Sequence, residues 1–174
     1  GHQHTVMIDS VSKRYSLCGA RVGCIISKNK ELMATALKFA HLRLSPPALA
    51  LMASEAAIMA DPSYLQNVKE EYAKRKKVTV AALEKIKGVA VSNPMGAFYC
   101  IAKLPLESAE DFAKFLLTDF EDQGQTVMVA PAAGFYSSPE LGKDQIRLAF
   151  VLESSKLLRA AQILEKALEA YNNS

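Results

Sequence analysis

The hydrophobic pattern opens with a short apolar run, Thr5-Val6-Met7-Ile8-Asp9, that predicts a buried strand. A polar, glycine-containing stretch follows it. The next apolar run, Cys24-Ile25-Ile26-Ser27, predicts an antiparallel partner for the first. Asn29 is placed to cap a helix over residues 30–42, with Leu32, Ala36, Leu37, Phe39 and Ala40 on its apolar side. Pro46-Pro47 breaks the chain and opens a second helix over residues 47–60. That helix is apolar almost all round (Ala48, Leu49, Leu51, Met52, Ala53, Ala56, Ile58, Met59), so it is expected to be buried on most sides. The residues before it are too few to bury it, which points to a further covering layer. Asp61-Pro62 pairs an N-cap acid with a proline at the first helical position. The helix it starts carries one narrow stripe, Leu65, Val68, Tyr72, Thr79, Leu83 and Ile86, and runs to Lys87, where Gly88 stops it. At ~1.5 Å per residue such a helix spans on the order of 40 Å.

Beyond Gly88 the texture changes. Val89-Ala90-Val91 predicts a short strand, Asn93-Pro94-Met95-Gly96 a turn, and residues 97–102 another strand. Ser108 is placed to cap a helix with Phe112, Phe115, Leu116 and Phe120 on one face, and Asp111 sits near the capping-box position. Residues 126–130 predict a strand leading into Pro131-Ala132-Ala133-Gly134-Phe135-Tyr136, and residues 145–151 predict another. Ser154 or Ser155 is expected to cap the last helix, whose Leu157, Ala161, Leu164, Leu168 and Tyr171 face inward. These elements predict a compact α+β domain with helices over one face of a small sheet. The expected division is therefore residues 1–60, a connecting helix over 61–87, and an α+β domain over 88–174. No internal repeat or low-complexity tract interrupts it.

Composition narrows the function classes. The chain has 174 residues, half of them hydrophobic, enough for a sizeable core. A net charge of +3 is too small to argue for nucleic acid, and the basic run Lys74-Arg75-Lys76-Lys77 reads as a solvated helix face. Cys18, Cys24 and Cys100 are odd in number and lack metal-ligand spacing, so they read as reduced thiols of a cytoplasmic protein. No apolar run approaches the ~20 residues of a membrane span, and no signal peptide is visible. Gly1-His2 reads as a tag scar. His2 and His4 have no ligand partners, and His41, near Arg43, reads as a surface histidine.

The candidate chemistry lies between the first two apolar runs, in Ser10-Val11-Ser12-Lys13-Arg14-Tyr15-Ser16-Leu17-Cys18-Gly19-Ala20-Arg21-Val22-Gly23. A lysine at a strand end can form an imine with an aldehyde. Arg21, eight residues past Lys13, can hold a phosphate by a bidentate fork, with serine hydroxyls beside it. Gly19 and Gly23 let the backbone turn tightly or approach a ligand. An aldehyde and a phosphate occur together in pyridoxal 5'-phosphate (PLP). A merely basic surface turn would not need all six of these residues in this spacing. A second candidate is Arg147, in the apolar run Gln145-Ile146-Arg147-Leu148-Ala149-Phe150. A buried arginine needs an anion. Alternation, which puts Gln145 and Arg147 on one face, is equally compatible with solvent exposure.

The first stretch resembles the cofactor-lysine signature of the fold-type-I aminotransferases of class I/II, the aspartate aminotransferase family. That pattern runs Ser-x-Ser-Lys and then Gly-x-Arg-x-Gly, and Ser10, Ser12, Lys13, Gly19, Arg21 and Gly23 match it. Many members carry Trp where this chain has Ala20. The resemblance implies an α/β PLP-dependent transferase fold, here the end of the large PLP-binding domain followed by the small C-terminal α+β domain. It implies that Lys13 is the Schiff-base lysine, that Ser10, Ser12 and Arg21 bind the cofactor, and that Arg147 holds the substrate carboxylate. Residues 94–99 and 129–135 resemble small-domain landmarks, the second a loop that faces the active-site mouth, but for Phe98 and Tyr99 turn chemistry and core packing are the preferred reading. The family's aspartate for the pyridine nitrogen, its ring-stacking aromatic and its tyrosine for the cofactor oxygen precede the lysine. The expectation is thus the C-terminal half of an aminotransferase, inert by itself and homodimeric as the full-length protein. Its substrates would be an L-amino acid, with aspartate a candidate, and a 2-oxo acid, with neither nucleic acid nor membrane as partner. A fold-type-I carbon–sulfur β-lyase, an aminocyclopropane-carboxylate-synthase-like lyase and a non-catalytic scaffold domain remain open alternatives.

Overall fold

In the computed structural model, which describes residues 3–138 and 140–173, strands β1 (Val6–Ser10) and β2 (Gly23–Ser27) form a two-stranded antiparallel ribbon. Its register pairs Val6 with Ser27 and Ser10 with Gly23. Gly23 is required by this pairing, because a Cβ there would lie 2.9 Å from the Asp9 carbonyl oxygen. The chain divides into two compact units, Gly1–Val68 and Lys69–Ser174.

In the first unit the ribbon runs into a one-turn helix α1 (Val11–Arg14) and a 3-10 turn (Cys18–Ala20) before β2. Helix α2 (Lys30–Arg43) follows, capped as expected by the Asn29 side chain, which accepts the Leu32 amide at 3.0 Å. The apolar side of α2 is not buried: Leu37 and Phe39 are exposed, and the helix buries none of its residues. Helix α3 (Ala48–Ile58) is likewise left open, as expected of a helix that the residues before it are too few to bury. Of its residues only Ser54 is buried, its hydroxyl donating to the Ala50 carbonyl at 2.7 Å, while Leu49, Met52 and Ile58 face outward. Nothing among the described residues covers them.

Helix α4 (Ser63–Leu83) starts where Asp61 accepts the Ser63 amide at 2.8 Å, a bond that also holds the Asp61 carboxyl below its usual range. It ends earlier than the sequence predicts. After Leu83 the backbone tightens into i→i+3 turns, Lys85 to Ala82 and Ile86 to Leu83, before Gly88 takes the left-handed conformation at φ +81°. In the second unit, β3 (Ala90–Val91), β4 (Tyr99–Lys103), β5 (Ala130–Pro131) and β6 (Gln145–Ala149) form an antiparallel sheet in the order β3-β4-β6-β5. One face, with Cys100, Ala102 and Ile146, is wholly buried against α5 (Ala109–Thr118) and α6 (Ser154–Asn172) through Phe112, Leu116, Leu164 and Leu168. Ser108 caps α5 by accepting the Asp111 amide at 3.1 Å. Burial also pushes the Cys100 thiol up to about 11.

Two further expectations are corrected here. The strand predicted over 126–130 shrinks to Ala130–Pro131, paired with Arg147 and Ile146. Upstream, the Thr126 hydroxyl donates to the Leu116 carbonyl at the end of α5, which ties the chain to the helix rather than to the sheet edge. The last helix is capped at Glu153, whose carbonyl accepts the Leu157 amide at 3.0 Å; Ser154 is already the first helical residue, and its hydroxyl is buried without a hydrogen bond. Asp122 anchors this helix from outside. It accepts Lys166 Nζ at 2.9 Å and Arg159 Nη1 at 2.7 Å, and the two hold its carboxyl below the usual carboxylate range.

Candidate functional site

The polar stretch between β1 and β2 is shaped by one apolar residue. Val11 is buried, and its amide donates to the Val22 carbonyl at 3.3 Å, so the chain turns directly off the end of β1. The Tyr15 amide closes a single helical turn on the Val11 carbonyl at 3.1 Å, and this turn carries Ser12, Lys13 and Arg14. Lys13 and Arg14 are exposed. Arg14 pairs with Asp9 at 2.6 Å, while the Asp9 side chain also accepts the Ser10 amide at 2.8 Å.

Arg21 closes the following 3-10 turn in the left-handed conformation, at φ +56°, and donates through Nη1 to the Cys18 carbonyl at 3.0 Å. A non-glycine residue held there costs on the order of 1 kcal/mol, a local strain of the kind that gathers at functional sites. The neighbouring Gly19 has open space where a Cβ would be, so the fold itself does not demand glycine at that position.

Ser10, Ser12 and Arg21 meet on the wall of one cavity of about 640 Å³ between the ribbon and α2, together with Asp9, Cys24 and Arg43. Lys13 is not on that wall; it follows Ser12 directly on the α1 turn. Two hydroxyls and a guanidinium are the donor set a phosphate dianion takes, and an amine one residue away can reach an aldehyde attached to it. The volume suits a small cofactor. These residues therefore fit PLP: Ser10, Ser12 and Arg21 for its phosphate, Lys13 for its carbonyl carbon. Helix α2 contributes Met33, Ala36, Leu37 and Ala40 as an apolar wall.

Arg147 belongs to the second unit. It lies on the central strand β6, opposite Ile101 of β4 and Ala130 of β5, on the sheet face away from the core. It is half-buried, and among the described residues no carboxylate or hydrogen-bond acceptor pairs with it. Its Cζ instead lies 4.4 Å from the Phe135 ring centroid and 5.2 Å from that of Tyr99. It also borders a cavity of about 460 Å³ whose other walls are chiefly apolar, among them Leu83, Val129 and Leu152.

Sequence reasoning left both of these rings out of the site. Phe98 does pack on the core, near Tyr72, but its neighbour Tyr99 is turned to the opposite face of β4. Alternation along β4 carries a signal for that difference. Phe135 sits in a 3-10 turn (Ala133–Phe135), where no periodicity marks it. His41 is exposed, and His2 lies outside the described residues.

Comparison with known proteins concerns the chain as a whole. The aspartate aminotransferase of Pyrococcus horikoshii is 26% identical to this chain over 171 residues, covering 96% of the chain and 42% of that protein. The crystal structure of an aspartate aminotransferase from Thermotoga maritima superposes with a TM-score of 0.80 at 28% identity, over 97% of this chain and 41% of that one. LysN of Thermus thermophilus, an α-aminoadipate aminotransferase crystallised in complex with N-(5'-phosphopyridoxyl)-L-leucine, shares the fold with a TM-score of 0.83 at 22% identity, over 98% of this chain and 43% of its own. The chain thus spans about two-fifths of the length of these relatives. The family model described as aminotransferase class I and II matches residues 1–164, nearly the whole sequence, and the chain belongs to that family.

Proposed function

We propose that this chain is the C-terminal part of a PLP-dependent aminotransferase that moves an amino group from an L-amino acid to a 2-oxo acid. Membership of the family implies PLP as the cofactor. The observation that carries the reading is the cavity wall on which Ser10, Ser12 and Arg21 converge, with Lys13 on the adjoining helical turn. On this reading Ser10, Ser12 and Arg21 hold the phosphate, and Lys13 Nζ takes the proton from the Cα of the amino donor and, in the second half of the reaction, gives one to the Cα of the 2-oxo acid. When bound, the cofactor supplies the electron sink for that proton transfer. Arg147 binds the substrate α-carboxylate by its guanidinium fork. Aspartate is the proposed amino donor, a choice supported by the names of relatives such as those of P. horikoshii and T. maritima. The proposed organisation is a large-domain remnant over residues 1–60, a connecting helix over 61–87 and a small domain over 88–174. The full-length protein is proposed to be a cytoplasmic homodimer; no helix among the described residues is long and apolar enough to cross a membrane.

The test is made on the full-length protein. Lys13→Ala should abolish the visible absorbance of the bound cofactor and nearly all amino-group transfer; wild-type turnover in that variant would sink the assignment. Arg147→Ala should weaken binding of amino and oxo acids by about 2–5 kcal/mol while PLP stays bound. Scoring amino transfer against elimination separates the transferase from a lyase.

A further inference from the structure

The surroundings of Arg147 are more constrained than a carboxylate-binding arginine alone requires. Phe135 remains 54% exposed, yet its ring lies 4.4 Å from the Arg147 Cζ, so burial does not account for its position. The turn that carries it is fastened to the sheet beside Arg147. The Ala132 amide donates to the Gln145 carbonyl at 2.8 Å, and the Tyr136 hydroxyl donates to the Gln145 side chain at 2.6 Å. Gln145 shares the face of Arg147, two residues before it on β6. The Tyr136 ring in turn lies where any side chain at residue 142 would be: a Cβ on Gly142 would come within 2.6 Å of Tyr136 Cδ2 and Cε2. Tyr99 reaches the guanidinium from β4, its Cζ-to-centroid distance 5.2 Å. Rings over a guanidinium satisfy its π-faces and leave its N–H edge for an in-plane acceptor. None of the described residues supplies such an acceptor.

We propose that Phe135 and Tyr99 are positioning residues that hold the Arg147 guanidinium so that its N–H edge meets a carboxylate in a bidentate fork. This rests on the reading of Arg147 as the carboxylate-binding residue. The rings restrict the torsions of the arginine before the ligand arrives, so less freedom is lost on binding. Both act through their aromatic faces, and the Tyr99 hydroxyl is dispensable.

The experiment uses the full-length PLP-loaded protein and two readouts: calorimetric affinity for acetate as an inert monocarboxylate, and KM against kcat for the amino acid. Phe135→Leu and Tyr99→Leu should each weaken acetate binding and raise KM by about 3- to 30-fold, the range of one cation–π contact. The cofactor absorbance, the melting temperature and kcat should stay near wild type. Phe135→Tyr and Tyr99→Phe, which keep the ring, should restore affinity. If the leucine variants bind acetate as the wild type does, or if the ring-retaining variants fail to restore it, the proposal falls. A loss that follows a drop in melting temperature would also overturn it, in favour of a purely structural role. Arg147→Ala separates the two levels. If it leaves acetate binding unchanged, the underlying reading of Arg147 fails; if it abolishes binding while Phe135→Leu does not, only the positioning role fails.

Discussion

Replacing Gly142 by alanine should destabilise the second unit far more than its single methyl group suggests. Gly142 is at φ +74°, a conformation that costs an alanine about 1–2 kcal/mol. The added Cβ would come within 2.6 Å of the Tyr136 ring and 3.2 Å of the Ala132 carbonyl carbon. The ring can swing away, but it then gives up the 2.6 Å hydrogen bond to Gln145, worth about 0.5–1 kcal/mol for a partly exposed pair. The backbone of Ala132 has no such freedom, because its amide is bound to Gln145 and its side chain is buried. The sum is about 1.5–3 kcal/mol, on the order of 10 °C in melting temperature for a unit of this size. Gly134→Ala is the internal control, in the 3-10 turn that precedes Tyr136, with open space at its Cβ and no left-handed φ. It should stay within ~0.5 kcal/mol of wild type. Urea titration followed by far-ultraviolet circular dichroism gives both values. If the two midpoints coincide, neither the ring contact nor the backbone conformation at Gly142 contributes as argued.

Three further outcomes are expected of the chain by itself. With PLP added it should develop no specific absorbance band and should not transfer an amino group between aspartate and 2-oxoglutarate; micromolar affinity with turnover would show that the residues present suffice. A thiol reagent at pH 8 should modify the exposed Cys18 and Cys24 quickly and the buried Cys100 only on unfolding. Because the folded state holds the Cys100 proton up to about 11, the unfolded chain releases it first as pH rises, so stability should fall from about pH 9 towards pH 11. Cys100→Ala should flatten that slope, and an unchanged slope would remove Cys100 as its cause.

How much the sequence discloses depends on the range of the interaction. Asn29 and Ser108 are legible as caps because each bonds an amide three residues on. Ser154 is misread because a serine beside an acidic residue looks the same one position earlier or later, and only the first helical bond, Leu157 to Glu153, decides. Residues 126–130 have the composition of a strand, but pairing needs a free edge in the right register, and the bond from Thr126 to Leu116 draws the chain off it. Gly88, Gly124 and Gly142 take left-handed positions themselves, whereas at Gly19 and Gly96 the left-handed residue is instead the nearby Arg21 or Ala97, so a glycine in the sequence does not by itself say which residue is the hinge. At the site, Ser10, Ser12 and Arg21 are legible because strand, turn and strand are contiguous. The meeting of Phe135 and Tyr99 over Arg147 is not, because it depends on two registers across β4, β6 and the turn before β6.

The β1–β2 ribbon has a consequence for how the protein keeps in solution. Among the described residues each strand pairs with the other alone, and the outward Met7, Ile8 and Ile26 carry no charge among them. The outer edges are open rows of amides and carbonyls beside an apolar surface, the arrangement to which a second strand adds most readily. Two strands alone are marginally stable, so these amides should exchange with deuterium long before those of β4 and β6. For this chain by itself, loss from solution through pairing of two ribbons is therefore expected to be second order in protein and to leave the core around Phe112 folded. Asp9 is the one acid in β1, at the end nearest the α1 turn, and it acts as a lone gatekeeper. A lysine in place of Met7, which is 53% exposed and is not on the wall of the cavity that holds Ser10, Ser12 and Arg21, would add a second guard without touching that core.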